Sequence, residues 1–127
     1  MLILICGHSR AGKTTYSKRY NGVCEVIHLD NMGSYDSVIN SVKRTTGDVV
    51  VEGIYYNPQN RRNLINAYSG QGCKCICLDT PQDVINERIG RKLKHPYPFL
   101  IPNLDEGWDE IIIIRGDDNV ESISNKR

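Results

Sequence analysis

The chain has 127 residues, 39% of them hydrophobic and 24% charged, with a net charge of +1. That length makes one domain, 1–127, with one core. Near-neutrality argues against a broad surface for wrapping nucleic acid, although Arg88, Arg91, Lys92 and Lys94 make a local basic cluster and the last quarter is acidic. Of the five cysteines, Cys73, Cys75 and Cys77 alternate in a strand-like run, so they share one face and lack the C-x-x-C spacing of a zinc site. They read as small buried hydrophobes in a reducing compartment. The apolar start has no basic region before it and is too short for a signal peptide or a membrane span. An intracellular, cytoplasmic protein with no membrane partner is expected.

Taken in order, Met1-Leu2-Ile3-Leu4-Ile5-Cys6 is an apolar run too short for a helix and predicts a buried parallel strand. Gly7-His8-Ser9-Arg10-Ala11-Gly12-Lys13-Thr14 follows, a G-x-x-x-x-G-K-T pattern, and a helix is expected from Lys13 to Tyr20 with Asn21-Gly22 as its stop. Glu25–Leu29 is a second strand with Asp30 at its carboxyl end. Ser34 caps a helix whose Tyr35, Val38, Ile39 and Val42 fall on one stripe, and Gly47 closes it. Asp48–Gly53 is a third strand, buried on both faces. Asn57-Pro58 opens a helix running to Ser69-Gly70, and Cys73–Leu78 is the fourth strand. Thr80-Pro81 starts a helix reaching about Lys92, the proline-rich stretch 93–107 is a loop, and Glu110–Arg115 is the fifth strand. The polar tail from Gly116 is expected to fray. Strands alternating with helices predict a parallel sheet covered on both faces.

The chemistry begins at the glycine loop. Its backbone N–H groups can turn inward onto phosphate oxygens, so Gly7, His8, Ser9, Arg10, Ala11, Gly12, Lys13, Thr14 and Thr15 are the candidate nucleotide contacts. Lys13 can reach the β- and γ-phosphates and the Thr14 hydroxyl can hold Mg²⁺. In a parallel sheet, ligands bind beyond the carboxyl ends of the strands. Asp30 is there the candidate general base for an attacking hydroxyl. Glu52 ends a Walker-B-like strand and is a candidate for holding Mg²⁺ or contacting the acceptor; Asp79 reads as structural. Arg88, Arg91 and Lys92 lie on one helix face before the proline-rich loop, where they can stabilise charge on a transferring phosphoryl group or simply favour the helix dipole. A short lid at about 91–103 is expected. Arg61 and Arg62 are candidates for an anionic acceptor or plain surface residues, and Trp108 and Phe99 for core or lid packing.

These residues carry a resemblance. The phosphate loop and the Asp after strand two are followed by Val-Val-Val-Glu-Gly-Ile-Tyr-Tyr-Asn-Pro at 49–58. Leu78-Asp79-Thr80-Pro81 then leads into Glu87-Arg88-Ile89-Gly90-Arg91-Lys92, and Glu106-Gly107-Trp108-Asp109-Glu110-Ile111 precedes the last strand. Over almost its whole length the chain resembles the kinase domain of the polynucleotide kinases of phages and bacterial RNA-repair enzymes, and their small P-loop kinase relatives. The resemblance implies a three-layer α/β P-loop kinase fold with a five-stranded parallel sheet in the order 2-3-1-4-5. It implies ATP and Mg²⁺ served by Lys13 and Thr14, activation of the acceptor by Asp30, and a lid in which Arg88 with Arg91 or Lys92 clamps the donor phosphates. The implied reaction moves the ATP γ-phosphate to the 5′-hydroxyl of a nucleic-acid end, in a phage-encoded enzyme acting in the host cytoplasm. Two departures concern the acceptor side: Met32, Gly33 and Ser34 offer no arginine beyond the Asp, and one short helix replaces the usual acceptor-side helices.

Two other readings compete. One is a kinase of a nucleoside, nucleotide or other metabolite. The other is a non-catalytic nucleotide-binding module or GTPase switch, for which Asp30-Asn31-Met32-Gly33 supplies a D-x-x-G pattern. Against the switch, Asp30 follows the loop too closely and no N-K-x-D motif is present.

Overall fold

A computed structural model describes residues 1–8, 11–79, 99–115 and 120–124. Strand β1 (Leu2–Gly7) is the axis of the sheet. It runs parallel to β3 (Val49–Gly53) on one side and β4 (Cys73–Leu78) on the other, with Leu4 opposite both Val51 and Cys75. All five residues of β3 are buried, Glu52 and Gly53 with the three valines, as expected of a strand with cover on both faces. Beyond β3 lies β2 (Glu25–His28), and beyond β4 lies β5 (Glu110–Ile114), both parallel to their neighbours.

The strand order is β2-β3-β1-β4-β5-β6. The first five follow the expected order 2-3-1-4-5. The sheet nonetheless has six strands and is mixed, because β6 (Val120–Ser124) pairs antiparallel with β5. The tail from Gly116, expected to fray, contains this strand. Ile123 stands opposite Ile111 and packs against the core, while Arg115 bridges Asp79 at 3.2 Å and Glu121 at 2.6 Å.

Alternation along the strands divides the apolar residues into two layers. Leu2, Leu4, Val49, Val51, Cys75, Cys77 and Ile111 face helices α3 (Tyr35–Lys43) and α4 (Pro58–Ala67), whose Val38, Val42 and Leu64 are fully buried. Burial of each such side chain contributes about 1.5–3 kcal/mol. Ile5, Val50, Ile76 and Leu78 face the opposite way, toward Ala11, Tyr16 and Tyr20. The cysteines of β4 share one face as expected, and all five in the chain are free. Cys6 Sγ lies 3.7 Å from Cys75 Sγ.

The caps explain the helix starts. Ser34 accepts from the Ser37 amide at 3.1 Å, and Asn57 accepts from the Gln59 amide at 2.7 Å ahead of Pro58. Two elements differ from expectation. Helix α1 covers only Lys13–Ser17 and tightens into a 3₁₀ turn over Lys18–Tyr20. Strand β2 ends at His28, and Leu29–Met32 coils into a one-turn helix, α2, stopped by Gly33 at φ 83°. The helix expected over 80–92 and the lid positions 91–98 lie outside the described residues. Among the described residues, no helix is long and apolar enough to cross a membrane.

Candidate active site

Strand β1 delivers the chain into the loop at Gly7, where a side chain has no room. A Cβ there would lie 2.6 Å from the Leu78 carbonyl oxygen, and φ is +155°. The loop closes at Gly12, whose φ of 97° suits glycine and caps α1. Between them, the Ala11 amide donates to the His8 carbonyl at 3.1 Å. Ser9 and Arg10 lie outside the described residues.

Lys13 turns back over this loop and donates to the same His8 carbonyl from Nζ at 2.7 Å. The residue is 8% exposed. Burial pulls its ammonium below the ordinary lysine value, opposed by the negative charge of Glu52 and then of Asp30. Thr14 and Thr15 are exposed on the first turn of α1.

The position of Glu52 follows from strand register. It lies beside Ile5 of β1 and His28 of β2, on the face that Val50 presents toward α1. Neighbours in a parallel register have side chains on the same face. His28 Nδ1 accordingly meets Glu52 Oε2 at 2.9 Å. Glu52 is buried and His28 half-buried. The pair was legible only by aligning β2 on β3, because the two residues are 24 apart in sequence.

Asp30 is exposed on α2, just past the end of β2 rather than on the strand. It lines a cavity of about 300 Å³ with Leu29, Gly33, Ser34 and Tyr35. Behind Tyr35, Tyr55 packs edge-on at 5.1 Å between ring centroids. Tyr55 is 1% exposed, has a left-handed φ of 42°, and its hydroxyl has no hydrogen-bond partner among the described residues.

Arg61 corrects the sequence reading. It is fully buried and forms a two-pronged ion pair with Glu106, Nε to Oε1 at 2.7 Å and Nη2 to Oε2 at 2.8 Å. Its third arm, Nη1, donates to the Tyr55 carbonyl at 2.6 Å. Such a residue contacts no acceptor, whereas Arg62 beside it is exposed. Trp108 is core and donates from Nε1 to Glu106 at 3.0 Å. Phe99 lies against His8 of the loop. Asp79 pairs with Arg115 at 3.2 Å. Arg88, Arg91 and Lys92 lie outside the described residues. Among the described residues, no cluster of three or more His, Cys, Asp or Glu has the makings of a metal site by itself.

Comparison with solved structures reports the same architecture elsewhere. The chain superposes on the unliganded crystal structure of a sugar kinase from a Janibacter species with a TM-score of 0.64, over 90% of this chain and 84% of that one, at 16% identity. The chain shares the fold of that structure. At that identity the likeness is one of fold alone. A second match, to the PezAT chromosomal toxin–antitoxin system of Streptococcus pneumoniae, has a TM-score of 0.46 at 16% identity, over 95% of this chain and 69% of that one. No protein-family model and no curated protein sequence matches the chain.

Proposed function

We propose that the chain is a phosphotransferase that moves the γ-phosphate of ATP to a hydroxyl acceptor. The observation that carries this reading is the phosphate loop itself: Gly7 without room for a side chain, Gly12 at φ 97°, and the buried Lys13 folded back over the loop. A loop that only turned the chain would have no need of a buried cation. Glu52 near the end of β3 and Asp30 just past the end of β2 bring two acids to the same end of the sheet. Phosphoryl transfer needs all three: a cation for the phosphates, an oxygen donor for a metal, and a base for the hydroxyl.

In this reading, amides of residues 7–14 and the Lys13 ammonium bind the β- and γ-phosphates. The Asp30 carboxylate accepts the acceptor's hydroxyl proton as the oxygen attacks the γ-phosphorus. The bond from phosphorus to the ADP oxygen breaks, and ADP leaves with the electron pair. The oxygens of Thr14 and Glu52 are hard donors and fit Mg²⁺, which supplies charge neutralisation on the phosphates when bound. Arg88, Arg91 and Lys92 would add positive charge from the lid.

For the acceptor, the favoured reading is the 5′-hydroxyl of a nucleic-acid end. Roughly twenty residues separate Asp30 from Glu52, enough for the rest of α2, for α3 and for turns but not for an enclosing subdomain. So little cover suits a substrate whose bulk stays outside. A small-metabolite acceptor is the second reading, for which the open depression beside Asp30, lined by Leu29, Gly33, Ser34 and Tyr35, is the place in the structure.

The test is a panel of oligonucleotides, nucleosides and sugars with labelled ATP. Asp30→Asn is expected to keep nucleotide affinity and lower kcat by about 10²–10⁴-fold. Lys13→Ala is expected to abolish nucleotide binding. Phosphorylation of a small metabolite with no activity on oligonucleotides would transfer the assignment to the second reading. Tighter binding of GTP than ATP with no transfer would leave a nucleotide switch instead.

A further inference from the structure

The buried ion pair below the site has more contacts than packing requires. Arg61 uses three donors on two segments: two on Glu106, and one on the carbonyl of Tyr55. Glu106 in turn accepts from Trp108 Nε1 at 3.0 Å and from the Asn103 amide at 3.4 Å. Buried ion pairs are poor sources of net stability, because well-packed apolar residues of like volume do as well or better. What they supply is direction. The planar guanidinium fork fixes three segments relative to one another: α4, the turn after β3, and the segment entering β5.

Both tethered segments reach the candidate site. The turn after β3 supports the acceptor side, since Tyr55 packs edge-on against Tyr35, which lines the cavity with Asp30. Tyr55 is also held in a left-handed conformation, which a bulky residue keeps only where its surroundings impose it. The same turn touches the donor side, where the Gly7 amide donates to the Ile54 carbonyl at 3.4 Å. The segment entering β5 carries Phe99, whose ring lies 5.1 Å from that of His8 in the phosphate loop and 6.0 Å from the Arg61 guanidinium. Its Leu100 amide donates to the Tyr56 carbonyl at 3.1 Å, joining the two segments directly.

We infer that Arg61 and Glu106 are positioning residues: the pair holds the Tyr55 turn and Phe99 in the geometry that shapes the acceptor wall and the phosphate loop. The functional consequence rests on the phosphotransferase reading; the mechanical coupling does not. Two arms follow. The Phe99–His8 contact acts on nucleotide binding, and the Tyr55–Tyr35 contact acts on the acceptor.

The experiment uses the full chain and a double variant, Arg61→Met with Glu106→Gln. It removes both charges together and leaves an amide oxygen for Trp108. Amide hydrogen exchange is followed by peptide, alongside Mg·ATP affinity by calorimetry. The expected result is exchange at least tenfold faster over residues 7–14 and 53–57, unchanged protection in the middle of β1, β3 and β4, and Mg·ATP binding weakened at least tenfold. Phe99→Ala, at a half-buried position, is expected to quicken exchange over 7–14 alone. Arg61→Lys keeps the charge but loses the fork, and is expected to behave like the double variant. Uniform faster exchange across the sheet, or no change at 7–14 and 53–57, would overturn the inference and leave a purely structural ion pair. Should the double variant not fold, Phe99→Ala decides alone: unchanged exchange over 7–14 refutes the coupling. If the wild-type chain binds no Mg·ATP, the phosphotransferase reading fails while the exchange data still judge the coupling.

Discussion

Replacing Tyr55 by phenylalanine removes one atom whose cost to the fold can be worked out. The hydroxyl is buried and has no partner among the described residues, while in the unfolded chain water satisfies it. Burying such a group costs about 1–3 kcal/mol. Phenylalanine keeps the edge-on contact with Tyr35, and the Arg61 bond is unaffected because it goes to the backbone carbonyl. The strain at φ 42° is common to both residues and cancels. Tyr55→Phe is therefore expected to gain about 1–2 kcal/mol, a rise in Tm of about 3–8 °C for a domain of this size. Urea titration and thermal unfolding measure it. A pH dependence accompanies the gain. Burial, then the neighbouring Tyr35, push the Tyr55 phenol well above its ordinary value of 10.0. The phenolate is disfavoured in the fold, so wild-type stability is full below that value and falls as pH rises past it. The variant is expected to fall less steeply. A loss of more than about 1 kcal/mol on substitution would refute the reasoning, because it would mean the hydroxyl contributes a bond.

Gly7→Ala is expected to lose nucleotide binding and about 2 kcal/mol or more of stability, since the added Cβ would stand 2.6 Å from a backbone oxygen that no side-chain rotation can clear; wild-type affinity in a calorimetric titration would refute it. Thiol labelling of the native chain is expected to reach Cys24 and Cys73, which are half-buried, and to spare Cys6, Cys75 and Cys77 until denaturant is added. Burial raises the Cys24 and Cys73 thiols, and Asp109 adds to the effect at Cys73. Less thiolate is then present at neutral pH, so labelling is expected to keep accelerating above the pH at which a free cysteine levels off. Mass spectrometry of labelled peptides checks both points.

The parallel sheet was legible because its strands are short, largely apolar or β-branched runs between helix signals, which need no long-range information to be recognised. Strand β6 was not. Val120 and Ile123 are its only apolar residues, they fall on opposite faces, and the rest is polar edge. It forms because Ile123 pairs with Ile111 and Arg115 ties its start to β4, partners visible only after folding. The break between β2 and α2 was missed for the opposite reason. Leu29 continues the apolar pattern of the strand, so nothing local marks the point where the chain coils. The Gly33 stop four residues later was the available signal. The coil puts Asp30 on a helical turn beside a cavity instead of on a strand end.

The site divides along the same line between local and distant information. Glycine spacing carries the loop, because the demand for room at Gly7 and for a positive φ at Gly12 belongs to the backbone itself. Arg61 was read as an exposed cation because its fate depends on Glu106, 45 residues away. Four positions into α4 it looks like any solvated helix residue. The distinction has chemical weight. A free Arg61 would be a cation for an anionic acceptor; a buried one holds the walls that an acceptor meets. With Arg61 committed to Glu106 and no arginine at 32–34, the proposed reading leaves an anionic part of the acceptor to cations elsewhere, among them Arg62 and the run Arg88, Arg91 and Lys92. The proposed reading then asks the cations at 88–92, assigned to the donor phosphates, to serve an anionic acceptor as well. A single arginine change there should raise the KM of a phosphorylated acceptor more than that of an uncharged one.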